Sequence, residues 1–334
     1  MNLSPSLVRT VVALLSLATV ALMKGQSLSW SEILIQPSPR CNIAMAYDSA
    51  AAYLLLFGGG NGGELPTIAF GDTWIFRRNA WTQLIPAVSP APRQGAAMAY
   101  DPTTETVVLF GGFGTESQPL ADTWTWDGAT WTQEFPPVSP TPRGFDVQAM
   151  AYDPINGAVL MFGGGGNGGP LADTWEWNGK AKTWTQLFPA TSPDPRGGGP
   201  LAYDGANKTI VLFGGSNGCG DSCNVYYNDT WVWNGVTWTE QFPSVSPSPR
   251  NVSQMAYDPA IGRIVLFGGY STPGVGLPGT WTWNGSTWKE ISMATQPEAR
   301  WGEALFFDPA ADALILFGGQ LTGDPLDNTT WVLK

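Results

Sequence analysis

Phe57-Gly58-Gly59 is the stretch on which the reading of this chain turns, because it returns five more times. The copies are Phe110-Gly111-Gly112, Phe162-Gly163-Gly164, Phe213-Gly214-Gly215, Phe267-Gly268-Gly269 and Phe317-Gly318-Gly319, at spacings of 50 to 54 residues. Each follows an apolar run. Such a period marks repeat units that cannot bury their hydrophobic faces alone and must stack on their neighbours.

Working outward from the second copy, one unit divides into four strands. Gln94–Asp101 is expected as the first, closed by an Asp101-Pro102 turn. Thr106–Phe110 is wholly apolar, as suits a strand covered on both faces. The paired glycines end it, and a loop leads to Asp122–Trp126, where Trp124 and Trp126 stand two apart on one face. Asp127-Gly128 is a hairpin turn before Thr130–Phe135. The Pro-rich run Pro136–Arg143 then leads to the next unit. Three strand gaps make about 14 Å to cross, and an extended Pro-rich segment covers that in about five residues. Six such units predict an all-β fold, a six-bladed β-propeller of four-stranded blades. The last unit stops after its third strand, while Ser29–Ile33 reads as a fourth strand with no unit of its own. That N-terminal strand is expected to complete the last blade and close the ring.

Composition narrows the function. The chain has 334 residues, 17 Trp and no His, and its formal charge is −11. An acidic chain lacks the electrostatic footprint of a nucleic-acid binder and is repelled by anionic membranes. Residues 1–25 read as a secretory signal peptide, with Arg9 before the uncharged run Val11–Met23. Thirteen apolar residues suit a signal sequence better than a membrane span. Its removal would leave residues 26–334 as a secreted domain of charge −13 with no membrane insertion. Cys219 and Cys223 share one loop and are expected as a structural disulfide, with Cys41 a packed thiol. A metal site there would need more ligands, so neither metal nor cofactor is expected.

The four landmarks in order, Gly-Gly after an apolar strand, Asp-Thr-Trp, a short turn and a further Trp, resemble the Kelch repeat over residues 29–334. The resemblance implies a propeller of six or seven blades. It also brings enzymes into view. Kelch-like copper-radical oxidases and iron-dependent specifier proteins need His ligands, which this chain lacks. A sialic-acid mutarotase-like isomerase relies on carboxylate and Arg chemistry, which composition does not exclude.

Repetition in register makes 16 of the Trp residues core. Trp301, which follows Arg300, is the exception. Arg40, Arg93, Arg143, Arg196, Arg250 and Arg300 open the six inner strands. They read either as an anion-binding ring or, preferably, as buried partners of Asp72, Asp122, Asp173 and Asp229. The connections between second and third strands, and between blades, share one face of the propeller and vary among copies, so binding is expected there. Trp301, Arg300, Phe145, Tyr226, Tyr227 and Glu64 are the candidate ligand-binding residues. The expected function is that of a secreted, non-catalytic, monomeric module for a protein or saccharide. The alternative is a carbohydrate-active enzyme of the mutarotase kind on the same fold.

Overall fold

The computed structural model describes residues 36–61, 68–144, 149–218, 225–323 and 325–334. Ser29–Ile33, the signal segment, Glu64, Phe145, Cys219 and Cys223 lie outside the described residues. Everything described is strand, turn or loop.

Each repeat folds into one antiparallel sheet. In blade 2 the order is Ala97–Asp101, Thr106–Phe110, Thr123–Trp126 and Trp131–Glu134. Blades 1, 3 and 4 have the same four strands, and blade 5 adds Val275–Gly276 to its long second strand Arg263–Thr272. The described part of blade 6 has three strands, Ala304–Asp308, Ala313–Phe317 and Thr330–Leu333. The apolar runs of the second strands are buried, with Leu54 to Phe57 and Val107 to Phe110 at 0% exposure. The aspartates that end the inner strands shape turns as expected. Asp101 Oδ1, for example, accepts from the Thr103 amide and hydroxyl.

The core lies between blades. One apolar cluster joins Leu55 and Phe57 of blade 1 to Met98 and Leu109 of blade 2, and the next joins Val108 and Phe110 to Val159 and Met161. The series runs on until Leu54, Leu56 and Trp81 share a cluster with Ala304, Phe306 and Phe317, so the sixth repeat packs against the first. The fourth-strand Trp is the bolt at each boundary. Trp131 sits edge-on to Phe57, 5.3 Å between ring centres, and donates to Thr73 Oγ1 of the preceding blade.

The Phe-Gly-Gly repeat has a steric reason. Gly111 takes φ +66°, and a Cβ there would lie 2.4 Å from the carbonyl oxygen of Arg143. No side chain fits that approach. The Gly112 amide then donates to the same carbonyl at 2.9 Å. The glycines therefore let the start of the next blade dock on the end of this one.

The linker arginines are structural. Arg93 Nη1 and Nη2 reach both oxygens of Asp122 at 2.6 and 2.8 Å, and Nη1 also donates to the Gly111 carbonyl. Arg40–Asp72, Arg143–Asp173 and Arg196–Asp229 repeat this geometry, and Arg300 pairs with Asp327 at 2.5 Å. Each guanidinium is buried and held by backbone carbonyls as well as carboxylate, the arrangement in which a buried charge is tolerated. An open anion-binding ring of arginines is therefore ruled out for these five.

Candidate functional site

The expected first strand Gln94–Asp101 breaks at Gly95. Arg93–Gln94 instead pairs with Phe113–Gly114, and the inner strand begins at Ala97. A residue of positive φ stands at the second place after five of the arginines, and in blade 5 it falls within the continuous strand Asn251–Asp258. Asn42, Gly95, Gly198, Val252 and Gly302 all have φ between +52° and +66°. Their backbones are hydrogen-bonded from each blade to its neighbour around the centre. Asn42 N donates to Gly302 O at 2.7 Å, Gly95 N to Asn42 O at 2.8 Å, Val252 N to Gly198 O at 2.9 Å, and Gly302 N to Val252 O at 3.2 Å. The centre is thus narrowed by main chain. Val252 is the costly member, since a β-branched residue in this conformation forfeits about 1–2 kcal/mol. It is buried against Trp301, with Tyr270 packed alongside, and that packing holds it in place.

Beside this constriction, on the long-loop face, lies a concavity of about 300 Å³. Blades 3 and 4 contribute bare backbone, Gly165, Gly166, Gly197 and Gly198, together with Ser216. Phe113, Asn251 and Tyr270 supply the side-chain functions. Asn251 Nδ2 donates to the Tyr270 hydroxyl at 3.3 Å, while its buried Oδ1 has no hydrogen-bond partner among the described residues. Tyr270 is the hinge of an aromatic run. Its ring is 5.9 Å from that of Tyr226 and 5.8 Å from that of Trp301, both edge-on.

The six expected ligand residues separate accordingly. Tyr226 and Trp301 belong to the aromatic run, though Trp301 is only 9% exposed and acts as a supporting wall. The Tyr227 ring lies against the Arg196 guanidinium, 4.0 Å from the ring centre, as Phe70 lies against Arg40. Arg300 is corrected to a structural role. It is 2% exposed and committed to Asp327 and to the Gly318 carbonyl. Phe145 and Glu64 lie outside the described residues. Asn251, Tyr270, Ser216 and Phe113 were not singled out, since they fall where copies vary and no register marks them. Tyr270 was legible only as an aromatic directly after Phe267-Gly268-Gly269, a position that Phe113 also fills in blade 2.

A family model described as the KLHDC2/KLHL20/DRC7 Kelch-repeats domain matches residues 72–269. The chain belongs to the Kelch-repeat family. Among solved structures, one titled "Structure of YjhT" is similar to this Kelch propeller with a TM-score of 0.68 at 14% identity, covering 90% of this chain and 97% of that one. At that identity the likeness speaks for the Kelch fold alone.

Proposed function

We propose that this Kelch propeller is a secreted recognition module that binds a saccharide or a protein on its long-loop face. The observation that carries the reading is the concavity itself, walled by glycine backbone on one side and by the Asn251–Tyr270 pair on the other. A hydroxyl, a carboxamide oxygen in search of a donor and an aromatic run, set against glycine backbone that lets a ligand approach closely, form a set suited to hydroxyl-rich ligands. The side chains named at the mouth are polar and neutral or aromatic, which suits recognition better than acid–base chemistry. Secretion rests on the apolar N-terminal run alone.

A glycan-array screen of residues 26–334, with Tyr270→Ala as control, tests the ligand class. Specific binding lost in the variant supports a saccharide module. A silent array, followed by no partner in a cross-linking screen with extracellular proteins, overturns the reading.

A further inference from the structure

Among the described residues, five of the six linker arginines hold a carboxylate and Arg250 does not. In four blades the aspartate two residues before the third-strand Trp collects three donors. Asp122 takes Arg93 Nη1 and Nη2 at 2.6 and 2.8 Å and Trp124 Nε1 at 2.6 Å. Asp72, Asp173 and Asp229 do the same with Arg40 and Trp74, Arg143 and Trp175, and Arg196 and Trp231. In blade 5 the residue in that place is Gly279.

The rest of the socket is retained. Arg250 still donates from Nη1 to Gly268 O at 3.0 Å, from Nε to Ser248 O and from Nη2 to Ser248 Oγ. It is 2% exposed, and among the described residues no carboxylate oxygen lies within ion-pair distance of it. Trp281 stands where Trp124 stands in blade 2. Gly279 takes φ +95°, a conformation that disfavours an aspartate, and the exposed Glu290 borders the slot with Oε1 2.7 Å from where a Cβ on Gly279 would lie.

We infer that blade 5 keeps a socket between Arg250 and Trp281 for an external carboxylate, that of a small organic acid, free or carried on an acidic sugar. Two parallel guanidinium N–H donors and an indole N–H fit a planar carboxylate, and a buried guanidinium without a counter-charge is costly enough to favour recruiting one. Solvent reaches this level of the blade, since the aspartates in the equivalent slots are 19–23% exposed. Burial pulls the Arg250 pKa down to about 10, against the pull of Glu303 and Glu290. Glu303, buried and itself pushed up to about 8, is mostly uncharged at neutral pH and leaves the guanidinium under-compensated. The socket is separate from the mouth and does not depend on the function proposed for it.

The test follows the Trp281 indole N–H resonance, assigned with Trp281→Phe, during titration at pH 7 and constant ionic strength. Sodium acetate and sodium glucuronate should each give a saturable shift that sodium chloride does not, and a tighter response to glucuronate would identify a sugar acid as the source. Glu290→Gln should tighten acetate binding about threefold or more by removing the bordering carboxylate, and Arg250→Lys should weaken it at least tenfold. Should Arg250→Lys fail to fold, the Glu290→Gln comparison decides. No saturable shift in wild type or Glu290→Gln, or an equal response to chloride, overturns the socket.

Discussion

The indole N–H of Trp81 donates to Thr330 Oγ1 at 3.0 Å, tying the first repeat to the last across 249 residues of sequence. The same bond joins Trp131 to Thr73, Trp184 to Thr123, Trp238 to Thr174 and Trp288 to Thr230, at 2.9 to 3.1 Å. Trp81→Ala should therefore cost about 3–5 kcal/mol, the usual loss for a buried Trp, because it empties the boundary between the first repeat and the last. Thermal unfolding checks it. A Tm unchanged within a degree would show that this boundary does not hold the fold together.

Asp122→Asn should destabilise the fold by about 2–4 kcal/mol, because it leaves the Arg93 guanidinium buried without its counter-charge. The acid limb of stability has the same origin. Burial alone would raise the carboxyls of Asp72, Asp122 and Asp173, but the arginine hydrogen bonds and charge, with the indole N–H, outweigh it and hold them below the usual range. A carboxyl whose pKa is lower in the folded state contributes stability that is present above its unfolded pKa of about 4 and is lost as the pH falls through the folded value. Urea midpoints measured from pH 6 down to pH 2 should fall steeply in wild type and less steeply in Asp122→Asn.

Most of this framework was legible because repetition turns chemistry into register. A Trp, an Arg and an Asp that come back every 50 or so residues must do the same work each time, and the Arg93–Asp122 and Trp131–Thr73 contacts recur as that logic requires. Legibility failed where a copy departs from the pattern. Asp327 stands four residues before Trp331 where the other aspartates stand two before their Trp, so its bond to Arg300 was not anticipated; the slot it vacates is filled by Thr329, whose Oγ1 accepts from Trp331 Nε1. Gly95 reads as an ordinary strand residue of Gln94–Asp101, and only its positive φ reveals that the strand breaks there. Tyr270 has no register to place it, since its role depends on two rings, Tyr226 and Trp301, from neighbouring blades.

Tyr270→Ala should abolish binding at the mouth while leaving the propeller folded. The variant removes the ring between Tyr226 and Trp301 and the hydroxyl that receives Asn251 Nδ2. A central aromatic in a binding surface is commonly worth tenfold or more in affinity. The Tm should fall by only a few degrees, because Tyr270 is half-buried and packs only on the small Val252–Trp301 cluster, outside the large clusters between blades. Isothermal titration with the ligand found by the array reads the first effect, and unfolding by heat reads the second. Full affinity in the folded variant would move the binding surface elsewhere.

Glu303→Gln should change how stability depends on pH in the neutral-to-alkaline range. Glu303 occupies the place of Ala96 in blade 2 and Ser253 in blade 5, it is 0% exposed, and among the described residues neither carboxyl oxygen has a hydrogen-bond partner. Burial drives its pKa to about 8; its own amide and the charges of Arg300 and Arg250 pull the other way and do not prevail. A carboxyl whose folded pKa lies above its unfolded value of about 4.3 binds a proton more tightly when folded. Its contribution is fully present below that unfolded value and is lost as the pH rises through about 8. Wild type should therefore lose stability steadily between pH 5 and pH 9. The variant keeps a neutral side chain of similar shape and should lack that slope, ending above wild type at pH 9 and close to it at pH 5. Parallel curves for the two proteins would mean that Glu303 is ionised in the fold from the start, with Arg250 and Arg300 as its effective counter-charges.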